Sequence, residues 1–381
     1  MLLGEANSRW STGDGDMRSL KNKFDADVLV LGLGPAGASA AARLAESGHS
    51  VIGVDRKIEA GVPVQCAEFV PSMIGQAVGD IASSYRQSIA AMDTFLEDED
   101  KTHTPNFRGT MVSRADFDKA LTKKASDAGV DCRFGRPIRR VHADGAVELS
   151  SGELMRARAI IGADGPRSLA GKAIGQVNTE CVETRQITVP LLTNHDATDI
   201  FLSNDIVGGY GWLFPKGDHA NLGLGVLPEW KSELKHLLEQ LHKQLIDQGR
   251  VGKTITSYTG GLIPVGGMLD AVGYLVDIPV LLVGDAAGLA NPITGAGINA
   301  AVQSGEMAGR ALSRSLRGET QTLDDYREEL EDLFGASLNR ALRARHALLD
   351  HYRDGGKADI VALKSAWIAY PEYWAAREVG A

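Results

Sequence analysis

The stretch that most constrains this chain is DVLVLGLGPAGASAAARLAESGHSVIGVDRK, residues 27–57. Its apolar opening, Val28–Leu31, has the length and branching of a buried strand. Gly32, Gly34 and Gly37 follow as GxGxxG, with Ala36 inside the motif. An Ala-rich segment to about Ser47 reads as a helix that Gly48 ends. A second strand, Ser50–Val54, delivers Asp55. Each part has a physical purpose. Gly32 permits a tight turn, Gly34 lets a pyrophosphate approach the backbone, and Gly37 lets helix and strand pack closely. The helix N-terminus offers free N–H groups and a partial positive charge. Asp55, 18 residues after Gly37, is placed to accept ribose hydroxyls. Arg56 beside it suits an adenine-side contact or a 2′-phosphate. Such a strand–helix–strand unit binds a dinucleotide.

Three later stretches bear on which dinucleotide it is. LLVGDAAGLANPITGAGINAAVQSGEMAG, 281–309, begins as a strand that lifts Gly284 and Asp285 to its C-terminal end. A loop with Gly295 and Gly297 follows, then a long helix of small residues. Asp285 can accept from a ribityl or ribose hydroxyl. Gly297 and Ile298 offer backbone N–H groups where a positive helix end favours an anionic reduced flavin. IIGADGPRS, 160–168, is again a strand followed by an Asp164–Gly165 pair. In MVSRADFDKAL, 111–121, Arg114 closes a short strand just before a helix, where it can meet pyrophosphate charge. No second fingerprint serves a separate nicotinamide domain: the glycines around 223–225 lack the following helix and acid.

The order GxGxxG, DG, GD resembles the FAD-dependent fold of aromatic hydroxylases such as p-hydroxybenzoate hydroxylase. Within that superfamily, YGWLFP at 210–215 is similar to the YxWxFP motif of the geranylgeranyl reductase family. PVQCAEFVP at 63–71 is similar to that family's cysteine-bearing loop. The likeness spans roughly residues 25–320, with Val207 where a proline often stands and Ala67 where glycine often follows the cysteine. Flavin halogenases carry a related WxWxxP, whose first Trp is Tyr210 here. The resemblance to the reductases implies FAD contacts at Cys66 and Ala67 and an adenine-side contact at Ile138. It implies an FAD-dependent oxidoreductase that passes hydride from reduced FAD to a prenyl C=C, with NAD(P)H or ferredoxin as electron donor.

Strand alternation brings the rings of Tyr210, Trp212 and Phe214 to one face. Pro215 ends the run. The resemblance points these rings at a cavity over the flavin, so the four residues are expected to line an apolar pocket for an isoprenoid chain. An isolated alkene needs a proton at the carbon beside the one that takes hydride. The candidate donors are Cys66, Tyr210, Glu68 and an ordered water. Two other functions compete: a flavin protein supplying NAD(P)H-derived electrons to a protein partner such as a lipoate-assembly or radical enzyme, and an aromatic monooxygenase.

The fold expected is α/β. A Rossmann-type FAD-binding domain is assembled from 25–71, 108–185 and 277–318. It interleaves with an antiparallel-sheet substrate domain from 72–107 and 186–276. Residues 1–24 read as a flexible extension and 319–381 as a helical C-terminal region. KSELKHLLEQLHKQLIDQG, 231–249, has helical apolar spacing and should cover one face of the substrate sheet. SAWIAYPEYW, 365–374, is densely aromatic. It could close the cavity, dock a partner, lie at lipid headgroups or simply pack. A net charge of −9 argues against a nucleic-acid partner. Three scattered cysteines form no disulfide framework or metal spacing, which points to the cytoplasm. The apolar runs are far too short to span a bilayer, and peripheral contact with the inner membrane face is compatible with this composition.

Overall fold

The computed structural model describes residues 24–71, 83–97 and 99–375. Almost all of the expected extension, and residues 72–82 of the expected substrate-domain piece, lie outside these. The described residues contain seventeen strands and nine α-helices, numbered here along the chain.

One sheet has six strands. These are β1 (Ala26–Leu31), β2 (Val51–Val54), β6 (Asp131–Arg133), β10 (Ala157–Gly162), β16 (Val272–Leu275) and β17 (Ile278–Leu282), in the order β16-β17-β10-β1-β2-β6. All neighbours are parallel except β16 and β17. Strands buried on both faces need continuous apolar runs, and Val28, Leu29, Val30 and Leu31 are fully buried. Helix α1 (Pro35–Glu46) and helix α5 (Ile298–Leu316) pack against each other beside this sheet. Small residues make that contact close. A Cβ on Gly305 would stand 2.2 Å from the Ala36 carbonyl oxygen, and one on Gly309 would stand 2.9 Å from Arg43 Cβ. This explains the glycine and alanine content of α5.

The second sheet has eight strands: β3 (Phe69–Pro71), β4 (Tyr85–Leu96), β5 (Thr102–Val112), β11 (Cys181–Pro190), β12 (Ala197–Leu202), β13 (Gly211–Lys216), β14 (His219–Val226) and β15 (Ser257–Pro264). Their order is β15-β11-β14-β13-β12-β4-β5-β3. Only β12 and β4 run parallel. One face is covered by α4 (Leu234–Asp247), whose Leu234, Leu238, Leu241 and Leu245 meet Ile187, Leu213, Leu222 and Leu224. The four leucines repeat at helical spacing, as a surface helix requires. A meander of β7 (Ile138–Val141), β8 (Val147–Leu149) and β9 (Leu154–Met155) forms its own small sheet.

Phe69–Pro71 pair with residues 109–111 inside the eight-stranded sheet, and the six-stranded sheet takes residues from Val272 onward. Helix α2 (Arg114–Asp127) packs on α1, and α3 (Leu169–Ala173) follows β10. The C-terminal helices are α6 (Thr322–Leu330), α7 (Ala336–Asp350), α8 (Ile360–Ser365) and α9 (Pro371–Ala375). Tyr326 of α6 is fully buried and its hydroxyl donates to the Leu282 carbonyl at 2.8 Å. Part of the C-terminal region therefore completes the core under the six-stranded sheet.

Candidate functional site

A cavity of about 940 Å³ lies between the two large sheets. Its first end is built by the Rossmann turn. Gly32 takes φ +99°, and a Cβ there would stand 2.3 Å from the Ala163 carbonyl oxygen. A Cβ on Gly37 would stand 1.9 Å from the Gly32 carbonyl oxygen, so Gly37 packs helix on turn and does not line the cavity. A Cβ on Gly34 would meet nothing within 4 Å. Gly34, Ala36, Asp55, Arg56 and Ile138 all line the cavity. Both Asp55 oxygens accept backbone N–H groups, from Leu33 and Lys57, at 2.8 Å. The first of these ties β2 to the glycine turn.

The opposing wall comes from β17 and α5. Asp285, Gly295, Gly297 and Ile298 line it. Gly297 is the N-cap of α5 with no side-chain cap, so the first N–H groups of this 19-residue helix are without intrahelical partners. Burial lifts the Asp285 carboxyl to about 6, partly offset by the charge of Arg114. Gly284 does not line the cavity. It turns at φ +56° and its N–H donates to Ser304 Oγ at 3.0 Å, so its role is to shape the strand exit. Asp164 lines the cavity, yet its carboxylate accepts from Ser168 Oγ (2.5 Å) and from the N–H of Leu169 (2.6 Å). It holds the start of α3. Arg114 is the first residue of α2, not the last of β5, because Ser113 caps the helix. Its guanidinium pairs with Asp118 (2.9 and 3.1 Å).

The loop carrying Cys66, Ala67 and Glu68 connects the two ends, and all three line the cavity. Glu68, at φ +70°, is 4% exposed. Its carboxylate accepts from the Arg114 N–H (2.8 Å), from Asn221 Nδ2 (2.9 Å) and from Lys216. Three donors occupy it, so Glu68 anchors the loop and is removed from the candidate proton donors. Cys66 Sγ accepts from the Glu68 N–H at 3.2 Å, and Gln186 holds the Cys66 carbonyl.

The far end of the cavity is aromatic. Tyr210, Trp212 and Phe214 line it with ring centroids 5.8 and 6.5 Å apart in sequence. Pro215 does not line it. The strand runs on to Lys216, and its period of two sends Pro215 to the other face with Leu213. The Tyr210 hydroxyl donates to the Thr294 carbonyl, and burial pushes the phenol well above its ordinary pKa. Its proton is thus poorly placed for delivery. Sequence reasoning did not assign the remaining wall. Met92, Phe107 and Ile200 come from strands of the substrate sheet, and Trp367, Ile368, Tyr373 and Trp374 come from the C-terminal segment. The aromatic density of 365–374 was the one signal of that segment's role.

A glycine turn open to close approach, two facing helix N-termini and carboxylates at the ends of β2 and β17 fit the phosphates and hydroxyls of FAD. Fold and site define the class of an FAD-dependent oxidoreductase. Comparison with known proteins narrows it. A model of the FAD binding domain matches residues 25–207 and 272–341, and one of the geranylgeranyl reductase catalytic domain matches 178–262. The chain is 32% identical over 333 residues to digeranylgeranylglycerophospholipid reductase 2 of Methanosphaera stadtmanae, covering 80% of this chain and 82% of that one. It is 31% identical over 341 residues to the digeranylgeranylglycerophospholipid reductase of Methanocella arvoryzae, covering 82% and 84%. Among solved structures, a geranylgeranyl bacteriochlorophyll reductase-like protein from Thermoplasma acidophilum shares the fold with a TM-score of 0.75. It is 24% identical and the match covers 90% of this chain and 95% of that one. The chain belongs to the geranylgeranyl reductase family of FAD-dependent oxidoreductases. Neither the electron-carrier function nor the monooxygenase function is the one carried by these curated relatives' names.

Proposed function

We propose that this enzyme reduces carbon–carbon double bonds in the prenyl chains of a glycerophospholipid, the substrate class of its named relatives. The observation that carries this is the continuity of an aromatic, apolar chamber with the FAD cradle in one cavity. When bound and reduced, FAD supplies a hydride at N5 to one alkene carbon. Tyr210, Trp212 and Phe214 hold the chain by apolar contact and keep water from the reacting carbons. Cys66 is assigned to hold the proton that the neighbouring carbon receives: Cys66 borders the cavity and its sulfur accepts from the Glu68 N–H. Addition of hydride and proton saturates the bond and balances the reaction. The substrate is a lipid, so the enzyme works at a membrane face. Among the described residues no helix is long and apolar enough to cross a membrane.

The test is anaerobic. Dithionite-reduced enzyme is mixed with a geranylgeranyl-bearing glycerophospholipid, and flavin absorbance and lipid mass are followed. Reoxidation with a gain of two hydrogens per saturated bond supports the proposal. Reduced flavin that persists, over unchanged lipid, defeats it. Cys66→Ala should slow reoxidation about a hundredfold or more while FAD stays bound.

A further inference from the structure

Both family matches stop short of the C-terminal segment: one ends at residue 341 and the other at 262. Yet Trp367, Ile368, Tyr373 and Trp374 form part of the cavity wall. Hydrogen bonds, an ion pair and a cation–ring contact pin the segment. The Asn204 amide pairs with both the N–H and the carbonyl of Ala358 at 2.9 Å. Lys364 pairs with Glu99 at 2.9 Å, and Asp359 caps α8 through the Ala362 N–H. The Trp374 indole donates to the Ile368 carbonyl, and Arg340 lies 5.3 Å from that ring's centre.

The wall beside the reacting chain is a continuous run of rings that crosses from β13 to this segment. Trp212 stands 5.8 Å from Tyr210, and Tyr210 stands 4.8 Å from Trp367. Two of the three are locked by hydrogen bonds. Trp212 donates to Gln186 at 2.9 Å, and Tyr210 to Thr294 at 2.6 Å. Trp367 is 3% exposed, and its Nε1 has no hydrogen-bond partner. A buried indole N–H without an acceptor is unfavourable, so the volume of the ring, held by packing, is what this position supplies. Trp367 is therefore the one ring of the three whose position a change of side chain can alter without breaking the hydrogen bonds that shape the cavity.

We infer that Trp367 is a specificity-determining residue: its ring, packed against Tyr210 in the same wall, limits the bulk that can lie beside the reacting chain, admitting a slim prenyl lipid and disfavouring one that carries a ring. This rests on the prenyl-lipid function proposed above. Two rings of this wall are fixed by hydrogen bonds, so the bulk of the third decides how much room is left beside them.

The test compares two substrates, a geranylgeranyl glycerophospholipid and a quinone bearing a geranylgeranyl side chain, on FAD-loaded enzyme. The readout is the ratio of kcat/KM values. Trp367→Ala should move the ratio toward the quinone about tenfold or more, and Trp367→Phe should stay near wild type. Ile368→Trp, which fills the same wall, should move the ratio the opposite way and decides the matter if Trp367→Ala fails to fold. Ratios within about twofold of wild type for every folded variant overturn the inference. Wild-type enzyme that reduces neither lipid defeats the prenyl-reductase function instead. The same variants are then read by binding of the two lipids through the flavin absorbance, with the same expected order and the same overturning result.

Discussion

The hydroxyl of Tyr210 donates to the carbonyl oxygen of Thr294 at 2.6 Å. This single bond ties the aromatic strand of the substrate sheet to the glycine loop that opens α5. Asn291 organises that loop, accepting from the N–H groups of Ile293 and Thr294 at 3.0 Å. The ring at the aromatic end of the cavity and the glycine loop at its other wall are thus joined directly. Tyr210→Phe keeps the ring and leaves a carbonyl without its partner. Thermal unfolding should show a loss of about 1–3 kcal/mol, and FAD should dissociate more readily. An unchanged FAD affinity would show that the loop holds its shape unaided.

Asp285 gives a dependence on pH with a definite sign. Its folded-state carboxyl titrates at about 6, above its ordinary value of 3.8. The group's contribution to stability is full below its unfolded pKa and is lost as pH rises through the folded one. The apoprotein should lose up to about 3 kcal/mol between roughly pH 4 and pH 7 through this residue. Asp285→Asn should flatten that part of the profile while weakening FAD binding, because the cofactor's hydroxyls lose a charged acceptor. Urea unfolding of both apoproteins across this range is the measurement. Parallel profiles would rule the account out.

Two glycines of one motif should fail differently. At Gly37 a Cβ would stand 1.9 Å from a backbone oxygen, so Gly37→Ala should destabilise the fold itself by about 3 kcal/mol. At Gly34 the backbone is at φ −69° and the Cβ position is open. Gly34→Ala should leave apoprotein unfolding unchanged and lower FAD affinity by filling the space the pyrophosphate needs. Calorimetry of apoproteins and FAD titration separate the two. Equal loss of stability in both variants would contradict the geometry.

What could be read without coordinates divides along physical lines. The fingerprint was legible because its glycines, helix and terminal Asp55 are local and tightly spaced. That the three rings share a face was legible because a strand alternates, and the family resemblance pointed that face at the cavity. The same rule, applied one residue further, excludes Pro215 from their face. Pairing between distant segments left no local trace: nothing in FVP or in residues 109–111 marks them as neighbours in the second sheet. Asp164 had a local sign, since Ser168 caps α3 only a few residues on. The identities of the groups around Glu68 had none, because Lys216 and Asn221 come from strands far along the chain. The aromatic C-terminus announced its composition and concealed its target.

Glu68 offers the sharpest test of how the Cys66 loop is held. Its carboxylate is 5% exposed and pairs with Lys216, itself 21% exposed. It also accepts from the Arg114 N–H and from Asn221. Glu68→Gln keeps the shape but presents an amide N–H₂ to a set of donors. Removing one member of a buried pair strands the other, which costs about 3 kcal/mol. Lys216→Met alone should cost a similar amount. Replacing both should cost less than the two single losses together, because neither partner is then left unpaired. A double-mutant cycle by urea denaturation measures that coupling. Additive losses would mean that Lys216 contributes nothing through Glu68, and that Arg114 and Asn221 hold the loop by themselves.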